Sequence, residues 1–485
     1  MARTLPLAAA LLLAGCNFAP DYDRPTGEVP PALPQGGVYP PAVTDAPDVT
    51  AIGWRDFFTD PRLREVIAAG LENNRDLRLA AANVLQARAR YRIQRADLVP
   101  TTGLSASATY TNNPVSATGA TAGPGAATGG TTGTGTGVGT DAGNLQYYSL
   151  TAGFSNFELD LFGRVRNLTR AAQERYFASE EAQRSTRISL IAEIATAWLQ
   201  LAADQDQLQL SRSTLQTFGQ TRTLTEAQFR IGVASELEAR QADTNYQAAL
   251  NDIAVLETRV AQDRNALDLL VGAPVATPQL PTGLGEGQAT LAQLPPGLSS
   301  AVLLRRPDVL DAEHQLIAEH ADIGAARAAR FPTISLTATV GTISAALSGL
   351  FAGGSFTYTG APAATLPIFD GGRISGNIRL AEADRQAALA TYERTVQVAF
   401  REVADALAQR GTIDRQIDAQ TIRARSAEIA ARLADARYRS GVDSFLTALD
   451  AQRTAYAADQ QLVTTRQARA ANLVELYRSL GGGLR

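Results

Sequence analysis

The sequence predicts a mixed α and β membrane protein in which a strand hairpin and a pair of long helices are each written twice along one chain. Three observations predict it. Short segments alternate apolar with small polar residues, proline-free stretches of helical periodicity extend over more than a hundred residues, and the two halves correspond at constant offsets. The alternation is that of a strand with one face in lipid and one in water, and the stretches are too long for anything but extended helices.

The first element is the N-terminus. Arg3 is followed by an apolar run over 5–13 and then by Leu13-Ala14-Gly15-Cys16. The run is too short to span a bilayer and reads as a signal peptide over 1–15. The small residues before Cys16 resemble a bacterial lipobox, in which the Cys becomes the lipidated N-terminus and Asn17 after it permits sorting to the outer membrane. Acyl chains would add about 0.8 kcal/mol of membrane affinity per buried methylene. Cys16 is the only cysteine, so no intramolecular disulfide can form. Residues 16–50 read as an extended lipidated segment.

The repeats come next. Residues 74–76, Ala96, Pro100 and Ser105 match 306–308, Ala328, Pro332 and Thr337 at an offset of 232. Gly163-Arg164 matches Gly372-Arg373, Phe229-Arg230-x-Gly232-Val233-x-Ser235 matches Tyr438-Arg439-x-Gly441-Val442-x-Ser444, and Gly272 matches Gly481, all at 209. The difference between the offsets falls on a Gly/Thr/Ala tract over 114–143, whose composition cannot offset its ordering entropy and reads as an external loop. The first repeat spans 51–273 and the second 301–485, joined by a linker over 274–300.

Each repeat opens with a helix, over 76–97 and 308–330, ended by a Pro that cannot continue it. A strand follows. Leu104, Ala106, Ala108 and Tyr110 alternate with Ser105, Ser107, Thr109 and Thr111, and Ile334, Leu336, Ala338 and Val340 alternate with Ser335, Thr337, Thr339 and Gly341. Return strands over 146–161 and 355–369 complete hairpins at 102–161 and 333–369, with Tyr147, Tyr148, Phe356 and Tyr358 placed as an aromatic girdle. Helix pairs over 164–273 and 373–480 then carry apolar residues at helical spacing, such as Leu190, Ile191, Ile194 and Trp198. Gly232 and Gly441 supply the left-handed residue of a reversal, after first helices that reach about 100 Å at 1.5 Å per residue. Four strands cannot close a barrel. Two copies would give eight and three would give twelve, and only the larger leaves a lumen for solutes.

At this point the residues carry a family likeness. Trp54-Arg55-Asp56-Phe57-Phe58-x-Asp60-Pro61, Leu159-Asp160-Leu161-Phe162-Gly163-Arg164 and Arg305-Arg306-Pro307-Asp308 resemble the TolC-like outer-membrane factors. So do Phe331-Pro332-x-Ile334-Ser335-Leu336, Pro367-Ile368-Phe369-x-Gly371-Gly372-Arg373 and Leu449-Asp450-Ala451-Gln452-Arg453. The likeness is to the NodT/OprM-like lipoprotein branch that serves resistance-nodulation-division (RND) pumps. It implies a homotrimer with a 12-stranded outer-membrane β-barrel continued by a periplasmic α-helical barrel. It implies a periplasmic adaptor, an inner-membrane RND transporter and outer-membrane lipid as partners, and the export of small toxic compounds such as drugs. The family's gate falls on Leu446, Asp450 and Arg453. A ring of carboxylates around a narrow pore would favour cations, and because the first repeat has Gln241 at the position of Asp450, the ring would hold three acids. The family's adaptor-contacting hairpin tips fall on Arg230, Gly232, Val233 and Ser235 and on Arg439, Gly441, Val442 and Ser444.

Other classes are disfavoured. A formal charge of −4, with Arg as the only strongly basic residue type, gives no global attraction to nucleic acid. His314 and His320 are six apart and do not form a chelating pair, so no metal site is expected. No cofactor is expected beyond the lipid, and with no Lys and its one Cys lipidated the chain does not read as an enzyme. A periplasm-spanning rod without conduction and the duct of a type I protein secretion system are the rival readings.

Overall fold

A computed structural model describes residues 17–26, 29–40, 52–111, 145–285, 290 and 300–482. The signal-peptide and Cys16 readings and the 114–143 tract lie outside these residues. No helix among them is long and apolar enough to cross a membrane. The chain divides into two compact units, one of Met1–Tyr22, Arg88–Glu174 and Ile317–Gln386, the other of Asp23–Ala87, Arg175–Leu316 and Ala387–Arg485.

The first unit holds a four-stranded antiparallel sheet in the order β1 (Gly103–Thr111), β2 (Leu145–Glu158), β3 (Thr333–Ser344), β4 (Phe356–Thr365). The two predicted hairpins are therefore joined by pairing of β2 with β3, which is antiparallel like the rest. Cross-strand side chains reinforce the register: Ser107 and Ser149 hydroxyls lie 2.7 Å apart and Tyr110 and Tyr148 hydroxyls 2.8 Å apart. A bulge between Phe154 and Phe157 places Asn156 at φ 52, a left-handed value that Asn tolerates better than most residues. Both return strands end earlier than the alternation suggested. β4 stops at Thr365 because Pro367 has no N–H to continue a ladder, while Pro362 is accommodated within β4 because β4 is an edge strand.

Helical segments belong to the same unit. The end of α3 (Arg75–Ala96), the beginning of α4 (Arg164–Arg230), part of α6 (Pro307–Ala328) and the beginning of α7 (Arg373–Arg439) belong to it. Ala171 of α4 packs with Ala318 and Ala321 of α6. Arg327 of α6 pairs with Glu382 of α7 at 3.1 Å. A strap of extended chain follows: Phe18 stacks on Phe331 at 4.7 Å, Phe331 stacks on Phe162 at 4.8 Å, and the Asn167 side-chain amide donates to Asn17 Oδ1 at 3.0 Å.

The second unit is helical. It contains α1 (Trp54–Phe57), α2 (Pro61–Asn73), α5 (Glu236–Val271), α8 (Phe445–Ser479) and the remainders of α3, α4, α6 and α7. Asp60 caps α2 by accepting from the Arg62 N–H at 2.8 Å, with Pro61 at the first helical position, where a missing N–H costs nothing. Trp54, Phe57 and Phe58 are buried, and Phe57 stacks on Tyr477 at 4.0 Å. The apolar positions read as helical, Leu190, Ile191, Ile194 and Trp198, are buried. α4 also meets α8 through polar side chains: Gln467 donates to Gln200 at 3.1 Å, Gln207 to the Gln460 carbonyl at 3.1 Å, and Ser211 and Tyr456 hydroxyls lie 2.7 Å apart.

Corresponding positions close the ends of the helix pairs. Asn74 donates to the Leu270 carbonyl at 2.8 Å, and Arg306 donates to the Ser479 carbonyl at 2.6 Å. Position 306 is 74 displaced by 232, and 479 is 270 displaced by 209. Each donor satisfies a helix-end carbonyl that no intrahelical N–H reaches.

Candidate functional site

The two reversals form where the sequence puts glycine after a long helix. Gly232 and Gly441 stand at φ 77 and φ 76. Gly232 N–H donates to the Phe229 carbonyl at 3.0 Å and Val233 N–H to Gln228 at 2.9 Å, and in the second turn Gly441 donates to Tyr438 and Val442 to Arg437, both at 2.9 Å. This pairing satisfies the last carbonyls of α4 and α7. Ser235 then caps α5 reciprocally with Glu238: its N–H donates to the Glu238 carboxylate at 2.7 Å and its hydroxyl accepts from the Glu238 N–H at 3.3 Å. Ser444 caps α8 by accepting from the Thr447 N–H at 3.3 Å. Among the tip residues read from the sequence, the glycines and serines are thus engaged in shaping the turns.

The rest face outward. Arg230, Val233 and Val442 are exposed, as is Arg439, which pairs with Asp435 at 2.8 Å. Ile231 and Leu237, which the pattern reading did not single out, are exposed beside them. Arg437 holds Asp443 across the second turn through bonds of 2.6 and 2.8 Å and keeps that carboxyl below the usual range. The turns lie next to each other: Tyr438 donates to Gln228 at 2.8 Å, and Ala242 packs with Phe445 and Leu449.

The gate candidates occupy one face of α8. Phe445, Ala448 and Leu449 are buried, while Leu446, Asp450 and Arg453, at steps of four and three residues, are exposed. Asp450 and Arg453 share a hollow of about 360 Å³ with Phe218, Asn245, Asp252 and Tyr456; Leu446 is not among its lining residues. Tyr456 donates to Asp252 at 3.0 Å, and the Asn245 amide nitrogen is buried with no partner. Asn245 and Asp252 escaped the sequence reading because a single amide or acid on an Ala-rich helix carries no pattern.

His314 and His320 are not brought together: Phe177 lies against His314 at 5.5 Å and Tyr22 against His320 at 5.5 Å. Among the described residues no group of three or more His, Cys, Asp or Glu is arranged to hold a metal ion.

The chain is similar to known proteins along most of its length. Residues 66–273 and 298–482 match the family described as outer membrane efflux protein. The chain is 43% identical over 477 residues to a toluene efflux pump outer membrane protein, TtgC of Pseudomonas putida, covering 98% of this chain and 94% of that one. It is 40% identical over 490 residues to the outer membrane protein OprJ of Pseudomonas aeruginosa, covering 98% and 95%. Among solved structures, the open state of the Neisseria gonorrhoeae MtrE outer membrane channel aligns with a TM-score of 0.83 at 35% identity over 97% of this chain and 99% of that one. A membrane protein from Pseudomonas aeruginosa aligns at 0.85 and 38% identity over 96% and 98%.

Proposed function

This chain belongs to the outer membrane efflux protein family, and we propose that its place there is the exit duct of a tripartite pump, releasing small toxic compounds handed on from the periplasm. The observation that carries the reading is the sheet. Among the described residues its β1 and β4 edges have no strand partner, and its Leu104, Val340, Phe356 and Tyr358 side chains are exposed. An exposed apolar sheet with two open edges needs lipid on one face and other copies at its edges.

Homotrimer closure is supported by a mismatch between the halves. α6 lies between α4 and α7, touching both. α3, its counterpart, touches α4 through Thr169 and the Gln94 carbonyl and has no buried residue. Ile93, at the position of buried Ala325, is 71% exposed, and Leu380 of α7, at the position of fully buried Ala171, is 61% exposed. The neighbour α3 lacks is an α7, and the only α7 left is that of another copy. Such a contact is head to tail and closes into a ring, and three copies bring twelve strands. The paired closures at Asn74 and Arg306 likewise support reading the halves as structural repeats.

The apolar tips at Ile231, Val233, Leu237 and Val442 are suited to a periplasmic adaptor, which in turn would bring the inner-membrane RND transporter; Cys16 would carry the lipid anchor. Leu446, Asp450 and Arg453 would face the pore near those tips, one Asp450 per copy. Susceptibility of a deletion strain, with and without complementation, tests the function against drugs, dyes, detergents, metal ions and solvents such as toluene. Complemented hypersensitivity is expected. Unchanged susceptibility with a secreted protein missing from the medium would indicate a secretion duct instead. For the gate, Asp450→Ala is expected to raise single-channel conductance in planar bilayers severalfold and to weaken cation preference; wild-type values in the variant would remove Asp450 from the pore.

A further inference from the structure

The two faces of the sheet differ in chemistry. On one, the registers place Ser105 opposite Thr151, Ser107 opposite Ser149 and Thr339 opposite Thr359. The other carries Leu104, Leu150, Val340 and Tyr358. In the proposed duct lipid covers the apolar face, so the hydroxyl face lines the lumen. No Asp, Glu, Lys, Arg or His occurs in 103–111, 145–157, 333–344 or 356–365, so along these strands the wall brings no charge of its own.

The one charged strand residue stands at the end of β2. The bulge between Phe154 and Phe157 inserts a residue, so that Glu158 pairs with Ser335 and shares its face. Without the inserted residue the alternation would put Glu158 on the side of Phe154, in lipid. Arg164 takes up the carboxylate with its fork: Nε donates to Oε1 at 2.8 Å and Nη2 donates to Oε2. A planar guanidinium held this way engages both oxygens and cancels their charge where it arises. Beyond it, Asp160 accepts from the Arg166 N–H at 2.8 Å and from its Nε at 3.3 Å. In the second repeat Pro367 occupies the place of Glu158 at the offset of 209, so each copy brings a single such acid.

Rings of charged side chains set the preference of a pore for cations or anions, because a low-dielectric wall concentrates their field in the lumen. Hydroxyls do not, since each can donate and accept and so meets a solute of either sign. We infer, resting on the proposed duct, that its barrel end is indifferent to solute charge and that Arg164 keeps it so by neutralising Glu158. Without Arg164, three carboxylates would ring the inner end of the barrel. Discrimination by charge then belongs to the far end of the helices, at Asp450, and cationic, anionic and neutral compounds leave through the barrel alike.

The rates at which an introduced thiol reacts with cationic and anionic methanethiosulfonates read the local potential. The full chain in detergent carries Thr339→Cys, about 13 Å along β3 from the Ser335 that faces Glu158. Labelling beyond that of the unsubstituted chain is followed by intact mass in about 10 mM salt, where the screening length is about 30 Å. After division by the rates for a free thiol, the two reagents are expected to agree within about twofold. Adding Arg164→Gln is expected to favour the cationic reagent by about threefold or more, adding Glu158→Gln to favour the anionic one, and both together to restore parity. A pair with a merely structural role would not give shifts of opposite sign. A Thr339→Cys chain that already favours one reagent by more than twofold, or either charge variant without its shift, would overturn the neutral wall. Val340→Cys, on the apolar face, isolates the duct itself: it is expected to react far more slowly, and a rate equal to that of Thr339→Cys would remove the lumen.

Discussion

Replacing Arg306 by Ala is expected to destabilise the protein by about 3–5 kcal/mol, the range for removing one partner of a buried ion pair. Arg306 is 5% exposed and donates to Asp308 at 3.0 and 2.7 Å, to Glu402 at 2.9 Å and to the Ser479 carbonyl at 2.6 Å. Burial works against its charge, yet the bonds and charges of Asp308 and Glu402 outweigh that and hold the guanidinium above its ordinary range. The loss therefore comes from what remains. Glu402 keeps Arg478, at 3.3 Å, Asp308 loses both its guanidinium bonds and keeps the Val309 N–H at 3.1 Å, and the end of α8 loses its donor. For a chain of 485 residues unfolding as one, the apparent melting temperature should fall by roughly 3–5 °C. The combination Arg306→Met, Asp308→Asn and Glu402→Gln should recover most of it, because no uncompensated charge is left. A single variant that melts with the wild type would mean that the network is solvated and contributes little.

The same knot illustrates what could be read beforehand. Arg305-Arg306-Pro307-Asp308 was legible as a helix start and a family motif, because Pro at a first turn and an acid behind it are local signals. Its partners Glu402 and Ser479 were not, being 96 and 173 residues away with no pattern to point at them. The sheet and the reversals were legible for the same local reason: alternation at 104–111 and 334–341 has a period of two, and Gly232 and Gly441 interrupt helices that contain no proline. From the sequence, residues 16–50 read only as extended chain. Its anchoring contacts, such as Arg24 with Glu313 at 2.6 Å and Phe18 on Phe331, join residues about three hundred positions apart and follow no periodicity. Of the site residues, Ser235 and Ser444 were seen as tip positions, but their capping bonds to Glu238 and Thr447 account for them locally. The exposed Ile231 and Leu237 share the apolar character of the tip with Val233 and Val442.

Assembly gives the other large effect. Leu380→Asp is expected to abolish the proposed trimer, with monomers by native mass measurement in mild detergent and no channels in planar bilayers, whereas Leu380→Met should leave both unchanged. In an isolated chain the substitution would be nearly silent, since Leu380 is 61% exposed and surface changes fall within about 0.5 kcal/mol. In a ring the position corresponds to Ala171, which is wholly buried against Ala318 and Ala321. The carboxylate would then be desolvated against α3 of the next copy, where Gln86 and Ala89 stand at the positions of Ala318 and Ala321 and bring no compensating positive charge. An unpaired buried charge costs several kcal/mol, and a closed ring of three incurs it at every interface, so the equilibrium moves by many orders of magnitude. A Leu380→Asp protein that remained trimeric would show that α3 and α7 are not the surfaces that meet, and that the exposure of Ile93 and Leu380 belongs to lipid or solvent rather than to a second copy.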